Sequence, residues 1–244
     1  MKNHYGHNFY KNRHQKTVYS AKRVSSIIFE ALPDVHSAID FGCGVGTWLS
    51  VLKESGVSEI LGLDGPWVEQ ELLEIPTQDF RQVNFEEVIT LDKKYDLAIS
   101  LEVAEHLSER AAVSFVDSLT SASNFILFSA AIPFQTGRGH INLQWQDYWA
   151  DLFIERGFVV LDLVRKKIWE DRYIPPHYRQ NILLFVKKED VHRVKGPEVG
   201  DYDYSTPISL VHPDMYLLRI KKMSSVKGSW RLFLRAVKKS FRKK

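Results

Sequence analysis

The stretch Ala38-Ile39-Asp40-Phe41-Gly42-Cys43-Gly44-Val45-Gly46-Thr47-Trp48, followed by Leu61-Gly62-Leu63-Asp64-Gly65, decides the fold. An apolar run entering alternating glycines lets the backbone turn tightly against a ligand at the end of a buried strand. A second apolar run ends, one strand–helix–strand unit later, in a lone carboxylate. Together they describe a nucleoside pocket.

The spacing decides which nucleoside. A dinucleotide site wants Gly-x-Gly-x-x-Gly, whose third glycine admits a helix aimed at pyrophosphate. Here the glycines are Gly42, Gly44 and Gly46, and Thr47 stands where that third glycine would fall. Asp40, two residues before the first glycine, would repel a pyrophosphate but accepts a hydrogen bond from an ammonium group. The pattern favours S-adenosylmethionine over NAD. Asp64, about twenty residues on, offers two carboxylate oxygens to the two ribose hydroxyls. The competing reading is a structural glycine turn beside a strand-end acid.

Tyr95-Asp96-Leu97-Ala98-Ile99-Ser100-Leu101 reads as a buried parallel strand, with Glu102-Val103-Ala104-Glu105-His106-Leu107 at its carboxyl end, where open α/β sheets place ligands. With this segment, the Asp-x-Gly-x-Gly-x-Gly loop and the acidic end of strand two, the chain resembles the class I S-adenosylmethionine-dependent methyltransferases. Phe128-Ser129-Ala130-Ala131-Ile132-Pro133, Gly139-His140-Ile141-Asn142-Leu143-Gln144-Trp145 and Tyr178-Arg179-Gln180-Asn181-Ile182-Leu183-Leu184-Phe185 are similar to a bacterial subgroup of surface-glycan (capsule or O-antigen) biosynthesis. The resemblance covers about residues 5 to 188, and the run around His140 is its most specific part. It implies a Rossmann-like methyltransferase fold, with S-adenosylmethionine as cofactor. Asp40, Gly42, Gly44 and Gly46 would meet its methionine end, and Asp64 and Gly65 its ribose. Asn84 and Phe85, closing strand three, suit the adenine; Leu101 and Glu102 border the sulfonium side.

Periodicity agrees. Apolar runs at 38–41, 59–64, 80–85, 95–101, 124–131, 158–165 and 181–187 predict seven strands, alternating with helical patterns near 20–32, 47–55, 108–121 and 144–156. That is a doubly wound, mostly parallel seven-stranded sheet with helices on both faces. The resemblance, not periodicity, implies that the last strand is antiparallel and inserted beside the sixth. The expected organisation is an aromatic lid at 1–19, the methyltransferase domain at 20–190 and an extension at 191–244. No internal repeat or low-complexity tract appears.

With 244 residues, 44% of them hydrophobic, the chain can bury a full core. Its single cysteine, Cys43, excludes an intrachain disulfide and reads as a small filler of the glycine loop in a reducing compartment. No apolar run reaches the roughly 20 residues needed to span a bilayer, and Met1-Lys2-Asn3-His4 opens a polar segment with no signal-peptide core. The expected location is the cytoplasm, with a peripheral place on the inner face of the membrane as the alternative.

The net charge of +3 hides an asymmetry: residues 221–244 hold ten of the 33 basic residues and no acid, leaving 23 basic against 30 acidic residues elsewhere, a net −7. Within that tail Trp230, Phe233, Leu234, Val237 and Phe241 share one helical stripe, flanked by Lys227, Arg231, Arg235, Lys238, Lys239 and Arg242. Residues 227–242 so arranged suit an anionic membrane surface. Docking on the protein's own core or a partner subunit competes; nucleic-acid binding, which needs no apolar stripe, is not expected.

Methyl transfer needs alignment of acceptor, methyl and sulfur, and a neutral hydroxyl acceptor must also lose its proton. His140, on the loop leaving strand five, is the expected general base. His106, after strand four, is the second candidate. Either histidine alternatively holds its loop by a buried hydrogen bond. Arg138, Gln144, Trp145 and Arg179 are the candidate acceptor-binding residues, indole stacking on a sugar face and arginine forks suiting a phosphorylated or lipid-linked acceptor. No metal site is expected: Asp96 lies at the far end of its strand from Glu102, Glu105 and His106, and the amino-terminal His4, His7 and His14 match no familiar ligand spacing. The reading is an O-methyltransferase of a small carbohydrate-type acceptor. A methyl placed on a phosphate-type or phosphoramidate-type oxygen is the alternative, and a dinucleotide-dependent oxidoreductase or an inactive cofactor-binding subunit are the competing classes.

Overall fold

The computed structural model describes residues 7–135, 137–196 and 208–241, which fall into two compact units, Met1–Leu210 and Val211–Lys244. In the first, β1 (Ser37–Phe41), β2 (Glu59–Asp64), β3 (Phe80–Gln82), β4 (Leu97–Leu101), β5 (Phe125–Ser129), β6 (Phe158–Leu161) and β7 (Leu183–Lys187) form one sheet in the order β3-β2-β1-β4-β5-β7-β6. The first five pair in parallel; β7 runs antiparallel to both β5 and β6.

Strand side chains alternate between two layers, as the two-residue period of a strand requires. Ala38, Leu97, Ile99, Leu127 and Leu184 face a core closed by α1 (His7–Ala31), α2 (Thr47–Glu54) and α5 (Leu163–Ile168). Ile39, Phe41, Ala98, Ile126, Phe128 and Phe185 face the other, closed by α3 (Ala112–Ala122) and α4 (Gln146–Ile154). Helices therefore cover both faces, and the strands read as continuous apolar runs because neither face meets water. The chain leaves β1 toward β2 on one side and returns to β4 on the other, so the carboxyl ends of β1, β2 and β4 lie side by side at the point where strand order reverses. Open α/β sheets bind ligands there.

Differences from the sequence reading have local causes. The sixth strand, expected to reach residue 165, stops at Leu161, and α5 begins two residues later. The seventh starts at Leu183, not 181, because Pro175 and Pro176 open a short helix, α6 (Pro176–Asn181), where a proline's fixed φ and missing N–H fit the first turn. The third strand ends at Gln82, and the expected 20–32 helix begins at His7. Of the aromatic lid, residues 7–19 continue α1, while the side chains of Tyr5, Phe9 and Tyr10 lie outside the described residues.

Arg179, expected to face the acceptor, turns inward, and so does Arg165. Arg165, 1% exposed, forks onto Asp162 at 2.7 and 2.6 Å and donates to the carbonyls of Gln180 and Ile208 at 3.3 and 2.9 Å. Arg179, 3% exposed, donates to the carbonyls of Ile174 and Trp169, each at 3.0 Å. These two guanidinium groups tie the α5–α6 connection to the end of the sheet.

In the second unit, α7 (Pro213–Met223) starts with Pro213 at its first turn, and His212 Nδ1 accepts from the Asp214 N–H at 3.1 Å. α8 (Val226–Phe241) forms the helix expected of the basic tail. Trp230 and Phe233 stack with centroids 5.7 Å apart and remain more than half exposed. Among the described residues no helix is long and apolar enough to cross a membrane.

Removing one partner of a buried ion pair leaves the other uncompensated. Arg165→Ala is therefore expected to lower the free energy of urea-induced unfolding by about 3–5 kcal/mol. Arg165→Lys should lose much of the same, since an ammonium cannot serve both Asp162 oxygens and two carbonyls. A loss under 1 kcal/mol in either variant contradicts this role.

Candidate active site

The glycine loop is built by hydrogen bonds from one strand end to the next. Gly42 and Cys43 both donate to the Leu63 carbonyl, at 2.8 and 3.0 Å, and Gly44 donates to Asp64 Oδ2 at 2.7 Å. Gly42, with φ +92°, admits no side chain: a Cβ there would meet Val103 Cγ2 at 2.3 Å. Gly44, with φ +57°, has open space where its Cβ would stand, the room a ligand needs to approach the backbone. Asp64 is 6% exposed and its Oδ1 accepts from Gly65 N–H at 2.7 Å. Burial raises its pKa, while the bonds from Gly44 and Gly65, and the nearby Trp67 side chain, pull it back. Each oxygen keeps a lone pair for a further donor, as a ribose diol would require.

Asp40 differs. It is 3% exposed and has no hydrogen bond among the described residues; burial pushes its pKa well up, and the charge of Asp64 adds to the rise. An unpaired acid beside an open glycine turn fits an ammonium-bearing ligand, and S-adenosylmethionine carries an ammonium and a ribose diol together. Cys43 is buried and its thiol pKa raised by burial, as a filler and not a nucleophile.

The residues expected at the adenine divide. Asn84 is exposed and closes a turn, accepting from Glu86 N–H at 3.2 Å and donating to Glu87 at 2.9 Å. Phe85 is 5% exposed and packs on Phe41 and Phe115, centroids 6.1 and 5.5 Å away, so its ring belongs to the core and not to a stacking face. The sequence reading passed over Trp67. Its ring lies over Gly65, where a Cβ would stand 2.2 Å from Cη2, and it remains 43% exposed beside Asp64.

Past β4 the backbone holds Glu102 at φ +58°, a conformation costly for a residue with a side chain. The Glu102 N–H donates to the Ser129 carbonyl at 2.9 Å. Its Oε2 accepts from Gln135 at 2.6 Å and its Oε1 from Asn181 at 3.0 Å. Asn181 and Gln180 also donate to Gln135 Oε1, at 3.0 and 3.3 Å. Gln135, Gln180 and Asn181 thus fix the carboxylate of Glu102. Asn181 and Gln180 stood inside a segment chosen for its resemblance, but their role needed tertiary geometry.

One turn later, a short 3-10 segment, Ala104–His106, presents Glu105 and His106. The N–H groups of Ile141 and Asn142 both donate to the Glu105 carbonyl, at 2.9 and 3.0 Å, which brings His140 over the segment. The His106 and His140 rings meet edge to face, centroids 4.8 Å apart, and His140 Nε2 lies 3.9 Å from Glu105 Oε1. Burial lowers the pKa of both histidines, for His106 with a further contribution from His140. Glu105 is fully buried and, among the described residues, neither oxygen has a hydrogen-bond partner; burial pushes its pKa well up and Glu102 adds to the rise. The N–H groups of Glu105 and Ala131 pull it partly back without making a hydrogen bond to it. The two candidate bases are thus brought together. Asp96 stays at the opposite end of β4, accepting from the His36 and Ser37 N–H groups at 2.9 Å each.

Of the expected acceptor residues, Arg138 is exposed, Trp145 is 42% exposed at the start of α4, and Gln144 donates to Asn142 at 3.0 Å. Arg179 is withdrawn from any acceptor by its buried carbonyl bonds.

Comparison with known proteins bears on the domain and its fold. Residues 12–124 match the family model of a methyltransferase domain. No protein of curated function matches the chain. Among solved structures, Streptomyces venezuelae DesVI shares 14% identity over 73% of this chain and 94% of its own, with a TM-score of 0.52. A provisionally assigned O-methyltransferase of Nostoc punctiforme PCC 73102 shares 12% identity over 70% of this chain, with a TM-score of 0.51; this chain spans 56% of that protein's length. An O-methyltransferase family protein of Burkholderia thailandensis shares 12% over 74% of this chain and 57% of its own, TM-score 0.50. The fold is the Rossmann-like methyltransferase fold.

Folding raises the pKa of Asp40, so its ionisation opposes folding: the penalty is absent below the ordinary carboxylate pKa and grows as pH climbs from there toward the raised value. Asp40→Asn replaces an unpaired buried charge with a cheaper unpaired amide. It is expected to stabilise the ligand-free protein near neutral pH by about 1–3 kcal/mol, seen as a higher melting temperature. Calorimetric titration with S-adenosylhomocysteine should meanwhile show at least roughly tenfold weaker binding; unchanged affinity removes Asp40 from the site.

Proposed function

We propose that this chain is an S-adenosylmethionine-dependent O-methyltransferase acting on the hydroxyl of a small carbohydrate-type acceptor. The observation that carries the reading is the pairing of two neighbouring sites at the carboxyl end of the sheet. An acid-and-glycine cradle suited to an amino acid and a ribose stands beside a cluster, Glu105, His106 and His140, suited to activating an oxygen. Bound S-adenosylmethionine supplies an electrophilic methyl group. The residues do the rest: Asp40 takes the ammonium, Asp64 the ribose hydroxyls, and Gly44 lets the ligand approach the backbone. The cluster around His140 eases loss of the acceptor's proton, since an alkoxide-like oxygen attacks far more readily than a neutral hydroxyl.

A hydroxyl is favoured over a phosphate-type oxygen because Arg179 is committed to buried carbonyls, leaving Arg138 and the exposed Trp145 to meet the acceptor. An indole with Gln144 behind it suits a sugar face. The segments similar to surface-glycan enzymes, around Phe128, His140 and Tyr178, support an acceptor from bacterial surface polysaccharide synthesis, free, nucleotide-linked or lipid-linked. The reading places the enzyme in the cytoplasm.

Incubation with S-adenosylmethionine and a panel of sugar nucleotides and phosphorylated sugars, followed by mass spectrometry, is expected to yield one product heavier by a methyl group. His140→Ala should lower its formation by about 10²- to 10⁴-fold with S-adenosylhomocysteine affinity nearly intact. Tight NADH binding with none to S-adenosylhomocysteine would favour the oxidoreductase class instead.

For α8 the proposed partner is an anionic bilayer at the inner face of the membrane. Trp230, Phe233 and Leu234 are exposed on the helix, the tail carries ten basic residues without an acid, and each cation near anionic headgroups contributes about 1 kcal/mol. Full-length protein is expected to sediment with phosphatidylserine-containing vesicles at low salt and to release as salt rises. Removal of residues 222–244 should abolish sedimentation and leave turnover on a soluble acceptor unchanged. A lower melting temperature or a broken oligomer on removal, with no vesicle binding by the full chain, means that the stripe docks on protein.

A further inference from the structure

We propose that Glu105, His106 and His140 form a binding site for one divalent transition-metal ion. One ligating atom from each lies within 4.8 Å of the others, and the Glu105 carbonyl bonds to Ile141 and Asn142 clamp the two contributing segments together. Both Glu105 oxygens and Nδ1 of His140 are buried without a hydrogen-bond partner among the described residues. A carboxylate hidden from water with no hydrogen-bond donor is strongly unfavourable unless it is protonated or a cation meets it.

The spacing fits that cation better than a direct contact. His140 Nε2 and Glu105 Oε1 are 3.9 Å apart, beyond a hydrogen bond. It is within the span of two donors on one ion whose bonds are about 2.0–2.2 Å long. Gly139, at φ +75°, precedes His140 and gives the backbone freedom to draw the longest separation in. Glu102, fixed by Gln135 and Asn181, adds negative potential beside the cluster.

Two imidazoles and one carboxylate suit Zn2+, Fe2+, Co2+ or Mn2+ and leave positions open, whereas Ca2+ and Mg2+ prefer oxygen-only surroundings. His106 and His140 are partly exposed, so an ion and a further oxygen ligand have access. An acceptor hydroxyl bound there would release its proton to solvent more readily, as metal-bound oxygens do. That use of the ion rests on the O-methyltransferase reading; binding of the ion does not.

Full-length protein stripped with a chelator and titrated with Co2+, followed by visible absorption and calorimetry, measures the site directly. Saturation at one equivalent is expected. Glu105→Gln and His140→Ala, from the two separate segments, should each weaken Co2+ at least tenfold while S-adenosylhomocysteine titration and melting curves show that both fold. Absence of saturable binding overturns the proposal, and so does undiminished affinity in both variants, which would put the ion on other side chains such as the amino-terminal histidines. Failure of the methyl-transfer reading is seen separately, as wild-type protein that binds Co2+ but yields no methylated product.

Discussion

Burying carboxylates away from cations is costly, and this fold gathers three buried ones, Asp40, Asp64 and Glu105, with the half-buried Glu102 beside them, at the carboxyl ends of three adjacent strands. The rest of the site follows from how each is met. Asp64 is met by backbone N–H groups, which is why the chain after β1 must be glycine-rich and tightly turned. Glu102 is met by side-chain amides from distant segments, and its strained backbone is held in return. Among the described residues, neither Asp40 nor Glu105 accepts a hydrogen bond through its carboxylate. Strand ends that leave two acids uncompensated sacrifice stability where ligands supply the missing charge, as functional sites commonly do.

Much of this was legible in the chain. Seven apolar runs became seven strands because both sheet faces are covered, and a fully buried strand is apolar throughout. The glycine loop and Asp64 could be paired in advance because one strand–helix–strand unit brings them to neighbouring strand ends. His106 and His140 were singled out separately, from the carboxyl ends of strands four and five. Their meeting with Glu105 was not visible, since it depends on two backbone bonds from residues 141 and 142 to one carbonyl.

The misread residues share a cause. Arg179 looks like a phosphate-facing cation until the short helices around it appear. α5 and α6, six residues each, are too brief to show helical periodicity. Phe85 looked free to stack because the third strand was expected to continue through it; the strand ends at Gln82 and the ring turns into the core. Trp67 carried no periodic signal and shows its place only beside Gly65.

The central claim is that the uncompensated acids mark where an amino-acid-bearing nucleoside sits. A crystal structure of the full chain with S-adenosylhomocysteine tests it most directly. The account predicts the ribose hydroxyls on Asp64, the ammonium within hydrogen-bonding distance of Asp40, the chain of the ligand over Gly44, and the sulfur turned toward the side of the site that holds Glu102 and His140. A nucleoside bound elsewhere, or one whose amino group leaves Asp40 unpaired, would contradict it.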